Sequence, residues 1–354
     1  MRTFPLDGVA HKNFAANLFY LGKYDEAASE AREAQRLMPQ LVGPGAYFDQ
    51  MSAETYSSRL EEAKVEFSKA QARRFDDFRL HGLRHLIAFL QHDDPAMKQE
   101  LTWLTNHNAA VKSLELEAAV QMYYGRFNDA HARLRAAEKL NMTKAYAADL
   151  RNFQMHVALQ SAEVEDWTAV HRLEKAPGPF DQSRSVQLVT AMAAARAGDM
   201  EQAEKIDGAI DQQSPHDTLV QFYYLPTIRA AMELQRDNPA GAIQFLRPTT
   251  PYELANPDSF NNLYPAYIRG LAFLRLGQGL AASNEFQKLL DHPAIVGRYV
   301  TGALAHLQLG RAQAMMGDKA AARKSYMDFL TVWKDADSDI PIYKKAKAEY
   351  AALK

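Results

Sequence analysis

The chain has 354 residues, of which 47% are hydrophobic and 24% charged, a composition suited to a globular fold or a repeat array. Its 41 basic and 43 acidic residues are interspersed and leave a formal charge of −2, which argues against nucleic acid and anionic membrane surfaces as partners. Cysteine is absent, so disulfides, thiolate metal sites and a cysteine nucleophile are excluded, and no window approaches the roughly 20 apolar residues of a membrane span.

The first residues, Met1 to Pro5, lack the apolar core of a secretory signal. Phe4-Pro5-Leu6-Asp7 reads as the end of a helix that began earlier, so the chain is expected to be a piece of a longer protein. A helical hairpin is predicted over 8–41, built on Leu21-Gly22-Lys23-Tyr24-Asp25-Glu26-Ala27-Ala28, with Ala31, Ala34 and Pro39 behind it. Weaker copies follow over 44–77, with Ser58 at the turn and Ala63 after it, and over 78–110, with His92 and Met97 in those places. The phrase returns at Tyr124-Gly125-Arg126-Phe127-Asn128-Asp129-Ala130 in a hairpin over 111–144. The next hairpin, 145–176, has Trp167 and Val170 after its turn and is followed by Ala176-Pro177-Gly178-Pro179-Phe180, a predicted linker.

Hairpins over 184–215 (Ala197-Gly198-Asp199 with Ala203) and 218–250 (Asp237-Asn238-Pro239 with Ala242) come next. A loop from Arg247 to Asn262, carrying Pro248, Pro251 and Pro257, precedes hairpins over 263–294 (Gly277, Ala282) and 303–336 (Gly317, Ala322). A last helix over 341–353 is expected to cap the array, with Lys344, Lys345 and Lys347 on its wet face.

Glycine tolerates the positive φ that ends a helix, and a second helix starting within a few residues must run back antiparallel. A small residue five places after the turn, facing another seven before it (Ala15, Ala118, Ala191, Gly270, Gly310), lets the two helices cross closely. Proline behind the second helix, as at Pro39 and Pro215, stops it. At intervals near 34 residues this pattern resembles the tetratricopeptide repeat. The expectation is an all-α, TPR-type superhelical solenoid of about nine hairpins plus a C-terminal capping helix. It is divided into sub-arrays 1–176 and 184–354 by the linker 177–183.

Further phrases are Thr218-Leu219-Val220-Gln221, Leu225-Pro226-Thr227-Ile228-Arg229-Ala230-Ala231, Leu263-Tyr264-Pro265-Ala266-Tyr267-Ile268-Arg269-Gly270 and Glu285-Phe286-Gln287-Lys288-Leu289-Leu290-Asp291-His292. The ending, Phe329 to Asp337 and Asp339-Ile340-Pro341-Ile342, is the most distinctive. Together they resemble the C-terminal repeat regions of bacterial, especially acidobacterial, eukaryotic-like serine/threonine kinases and of winged-helix regulators. The resemblance implies a regulatory or sensory region and transfers no catalytic residue, because no glycine-rich strand turn, His-Arg-Asp or Asp-Phe-Gly is present.

Asp335-Ala336-Asp337-Ser338-Asp339 imitates the start of a calcium loop, but Ile340 and Ala346 stand where glycine and glutamate are required, so helix termination and capping explain the aspartates better. His81 and His85 have zinc-ligand spacing, yet Gly82 replaces the glutamate of His-Glu-x-x-His and His85 falls on the crossing position. Neither a Gly-x-Ser-x-Gly elbow nor a P-loop occurs. No metal, cofactor or catalytic residue is therefore predicted.

The inner face of the first helices is the expected binding surface. Counting back from each turn places Phe19, Tyr20, Phe48, Tyr56, Met122, Tyr123, Met192, Arg196, Tyr264, Tyr267, Leu271, Arg275, Arg311 and Met315 along a peptide-binding groove. These are residue types enriched at binding hot spots, and packing between hairpins is the competing reading. A carboxylate clamp is disfavoured: Lys12 and Arg79 fit it, but Ala16, Asp49 and Leu83 replace its other groups. Arg269, Arg275, Arg298 and Arg311 could receive an acidic peptide, against which stands ordinary solvated charge. The leading expectation is a non-enzymatic protein- or peptide-binding scaffold of a bacterial signalling protein. A small-molecule or glycan sensor and a fragment of a protein kinase whose catalytic domain lies elsewhere remain open. So do the compartment, cytoplasmic or periplasmic, and the oligomeric state.

Overall fold

The computed structural model describes residues 6–39, 43–140, 144–174, 183–255, 259–260 and 263–353. Among these residues it is all-helical. Nine hairpins succeed one another among the described residues: α1 (Gly8–Tyr20) and α2 (Tyr24–Leu37), α3 (Pro44–Tyr56) and α4 (Leu60–Ala72), α5 (Phe78–Leu90) and α6 (Asp94–Asn106), α7 (Ala110–Tyr123) and α8 (Phe127–Glu138), α9 (Lys144–Glu163) and α10 (Trp167–Glu174), α11 (Arg184–Ala197) and α12 (Met200–Gln213), α13 (Leu225–Gln235) and α14 (Pro239–Phe245), α15 (Tyr264–Arg275) and α16 (Gly279–Asp291), and, after the short α17 (Pro293–Val296), α18 (Val300–Met315) and α19 (Lys319–Val332). A final helix, α20 (Pro341–Ala352), packs on α19. The fold class is all-α, built of successive helical hairpins of the TPR type.

All nine hairpin turns use a left-handed residue. Five are glycines (Gly22, Gly125, Gly198, Gly277, Gly317) and four are Ser58, His92, Glu165 and Asp237, with φ between 55 and 66°. Five places on, Ala27, Ala63, Ala130, Val170, Ala203, Ala242, Ala282 and Ala322 are sealed between the paired helices. Bulk is exchanged across this crossing. Where the second helix presents Phe286 or Tyr326, the first carries Gly270 or Gly310, and a Cβ there would lie 2.7 or 2.8 Å from the ring. Pro226 accounts for one irregularity. Its ring lacks an N–H and clashes with the carbonyl four residues back, and the helix widens to a π-turn over Val220–Tyr224 just before it.

Contacts divide the chain into two compact units, 1–113 with 254–257 and 292–297, and 114–253 with 258–291 and 298–354. The linker expected at 177–183 lies outside the described residues except for Ser183, which caps α11. In the first unit α1, α3 and α5 stack side by side; α17 lies against α5 and α3, and the Leu254 carbonyl accepts a hydrogen bond from the Tyr24 hydroxyl. In the second unit α9, α11, α13, α15 and α18 form the inner layer and are buried around most of their circumference. Their partners bury a single stripe, such as Ala322, Ser325, Tyr326 and Phe329 of α19.

The second unit closes on itself. Beyond α19 the Trp333 indole donates to the Tyr123 carbonyl (3.0 Å), Asp337 N–H donates to the Gly125 carbonyl (3.0 Å), and Asp337 Oδ2 accepts from Asn128 N–H (2.8 Å). Asp337 thus caps α8 from 209 residues away. Gly125 is required there twice over: its φ is +74°, and a Cβ would stand 2.7 Å from the Trp333 ring. On the inside, α18 touches α9, and Gln160 accepts from Val300 N–H at 2.9 Å.

Candidate protein-binding face

The predicted groove residues fall into two environments. In the second unit Met122, Met192, Arg196, Tyr264 and Tyr267 are interior, none more than 9% exposed. Arg196 forms a two-pronged ion pair with Glu163 (2.7 and 2.8 Å), and Tyr264 donates to the same carboxylate at 3.0 Å. Desolvation would lower the Arg196 pKa, but the adjoining Glu163 raises it, so the guanidinium stays charged. Tyr123 and Leu271 are half-buried, and Arg275 donates to the Leu234 carbonyl. Arg311 holds Glu349 with two bonds of 2.8 and 2.9 Å. Met315 is exposed beside Met316.

The arginines considered for an acidic peptide are likewise engaged. Arg269 is buried between Glu253 and Glu285, and Arg298 has partners of its own. His81 lies 2.6 Å from Glu100 and stacks on Trp103 at 3.5 Å. Among the described residues no group of three potential metal ligands converges.

In the first unit the same face remains accessible. Lys12 and Tyr20 come from α1, Phe48 and Asp49 from α3, and Arg79 from α5, and every one of them is at least partly exposed. The Arg79 guanidinium lies 5.1 Å from the Phe48 ring centre, a cation–π contact, while Asp77 anchors it from behind at 2.6 Å. Asp49 feels both Lys12 and Arg79, yet desolvation outweighs them and pushes its carboxyl up to about 6. Beneath it the buried Phe19 and Tyr24 join Tyr20 and Tyr56 in an aromatic cluster with ring centres 5.5 to 5.8 Å apart. The Leu254 carbonyl lies against Tyr24 of this cluster. Of the residues expected along a groove, Tyr20, Phe48 and Tyr56 are at least partly exposed in this unit, but a local pattern has no means of showing that residues 254 and 293–296 return to it.

No family model and no curated protein matches the sequence. The structure is similar to that of a tetratricopeptide repeat protein from Parabacteroides merdae (12% identity, 86% of this chain and 98% of that one, TM-score 0.37). It is also similar to yeast Tom70 (11% identity, 98% of this chain and 88% of that one, TM-score 0.42).

Proposed function

We propose that the chain is a non-catalytic protein-binding scaffold whose recognition surface is the face formed by Lys12, Tyr20, Phe48, Asp49 and Arg79. The observation that carries the reading is the convergence, from three successive inner helices, of exposed aromatic and cationic groups around a partly desolvated carboxyl. Such a surface offers stacking area with few rotamers to freeze, and an arginine already held in place by Asp77. An array of 15-residue peptides tests it. Binders of the wild type should lose about tenfold or more with Tyr20→Ala or Arg79→Glu, since each removes a hot-spot group. An array with no binders, or binders indifferent to both changes, overturns the reading.

The regulatory role in a bacterial signalling protein is a further part of the proposal. Its support is the resemblance of 218–231, 263–270, 285–292 and 329–342 to kinase-associated repeats. Phosphotransfer from ATP by the chain itself would refute the non-catalytic reading.

A further inference from the structure

A cavity of about 300 Å³ lies in the second unit where three helices begin, α8 at Phe127, α10 at Trp167 and α20 at Pro341. Four carboxylates line it, from Glu165, Asp166, Asp337 and Asp339, and neither lysine nor arginine does. Part of this acidity is structural. Asp337 caps α8 through one oxygen, Asp166 caps α10 through one oxygen (3.1 Å to Ala169 N), and Lys345 holds Glu165 at 2.6 Å. Each capping aspartate keeps a second oxygen, and Asp339 has no hydrogen bond or ion pair among the described residues. A helix N-terminus carries about half a positive charge, so three of them with Lys345 fall short of offsetting four carboxylates. Arg135 and Arg172, also near His131, are solvent-exposed, which screens them.

A second observation is independent of the acids. His131 lines the cavity, is 8% exposed, and its Nε2 has no hydrogen-bond partner. Desolvation holds its pKa below the usual histidine range, which keeps the ring neutral near pH 7. Trp167, 40% exposed, supplies an indole at the wall. Acceptor residues around the cavity, a neutral imidazole whose Nε2 has no hydrogen-bond partner and an accessible indole together suit one chemistry.

We propose that this cavity binds an organic ammonium ion of about the size of a lysine side chain. Carboxylate oxygens receive its N–H donors and the Trp167 indole meets its charge and methylenes. The proposal does not rest on the face of the first unit.

Isothermal titration of the full chain with 1,5-diaminopentane and with a blocked Gly-Lys-Gly tripeptide, against sodium chloride at equal ionic strength, tests it. We expect saturable binding of at least one probe, weakened about tenfold or more by Asp339→Asn combined with Trp167→Leu. Both residues are exposed, and circular dichroism checks that the double variant stays folded. Tighter binding of the tripeptide identifies the source as a partner's basic side chain; tighter binding of the diamine identifies a free amine. Absence of saturation by both probes up to about 10 mM, the weak end of specific recognition, overturns the proposal. So does an affinity unchanged in the folded double variant.

Discussion

Trp333→Ala tests whether the second unit is held closed by its last turn. The indole is fully buried, packs on Phe329 (4.8 Å) and Tyr343 (5.8 Å), covers Gly125, and donates to the Tyr123 carbonyl at 3.0 Å. Truncating such a residue costs about 3–5 kcal/mol, and the carbonyl left behind adds up to about 1 kcal/mol where water does not replace the donor. Because these contacts lie at one seam, the loss should appear as local opening. Hydrogen exchange of the Asn128 and Asp337 amides should accelerate by about a hundredfold or more, while amides of α1 to α5 keep their protection. Gly125→Ala attacks the same seam from the other side, through a strained φ and a Cβ 2.7 Å from the ring, so the double variant should lose less than the two singles combined. Acceleration below about tenfold, or additive losses, would refute the seam as the closing element.

Asp49→Asn should stabilise the protein near neutral pH. The carboxyl is raised from 3.8 to about 6, so the folded state binds more protons than the unfolded state between those values, and stability falls as pH rises through that window. The shift sets a ceiling of about 3 kcal/mol, and partial exposure lowers it to about 1–2. Denaturant melts should show the gain at pH 7.5 and little difference at pH 3. Arg196→Met leaves the Glu163 carboxylate buried without its cationic partner and should cost about 3–5 kcal/mol by urea unfolding. Adding Glu163→Gln should recover much of that loss. Ser58→Gly and His92→Gly should each raise stability by about 0.5–1 kcal/mol in thermal melts, because both residues are exposed at φ 62 and 55°.

The hairpins were legible because their signals are local. A left-handed residue, a small residue five places on and a 3.6-residue periodicity all act within one turn or one pair of helices. Even Ser58, His92 and Asp237 could be located without glycine, because the crossing residues Ala63, Met97 and Ala242 hold the register. The register also defined which side chains face inward, but inward is not the same as accessible. Tyr20 and Phe48 face inward and meet solvent, whereas Tyr264 and Tyr267 face inward and are buried in their own unit.

Three contacts draw that distinction, and all are distant in sequence: Trp333 on Tyr123, Gln160 on Val300, and Leu254 on Tyr24. The acidic ending shows the same limit. Its composition suggested capping, yet the helix that Asp337 caps is α8, brought to it only when the second unit closes. Local chemistry by itself determined the repeat, its turns and its inner face. Which part of that face stays open, and the acid-lined cavity beside Trp167, were decided only by tertiary closure, because both depend on where distant helix ends come to rest.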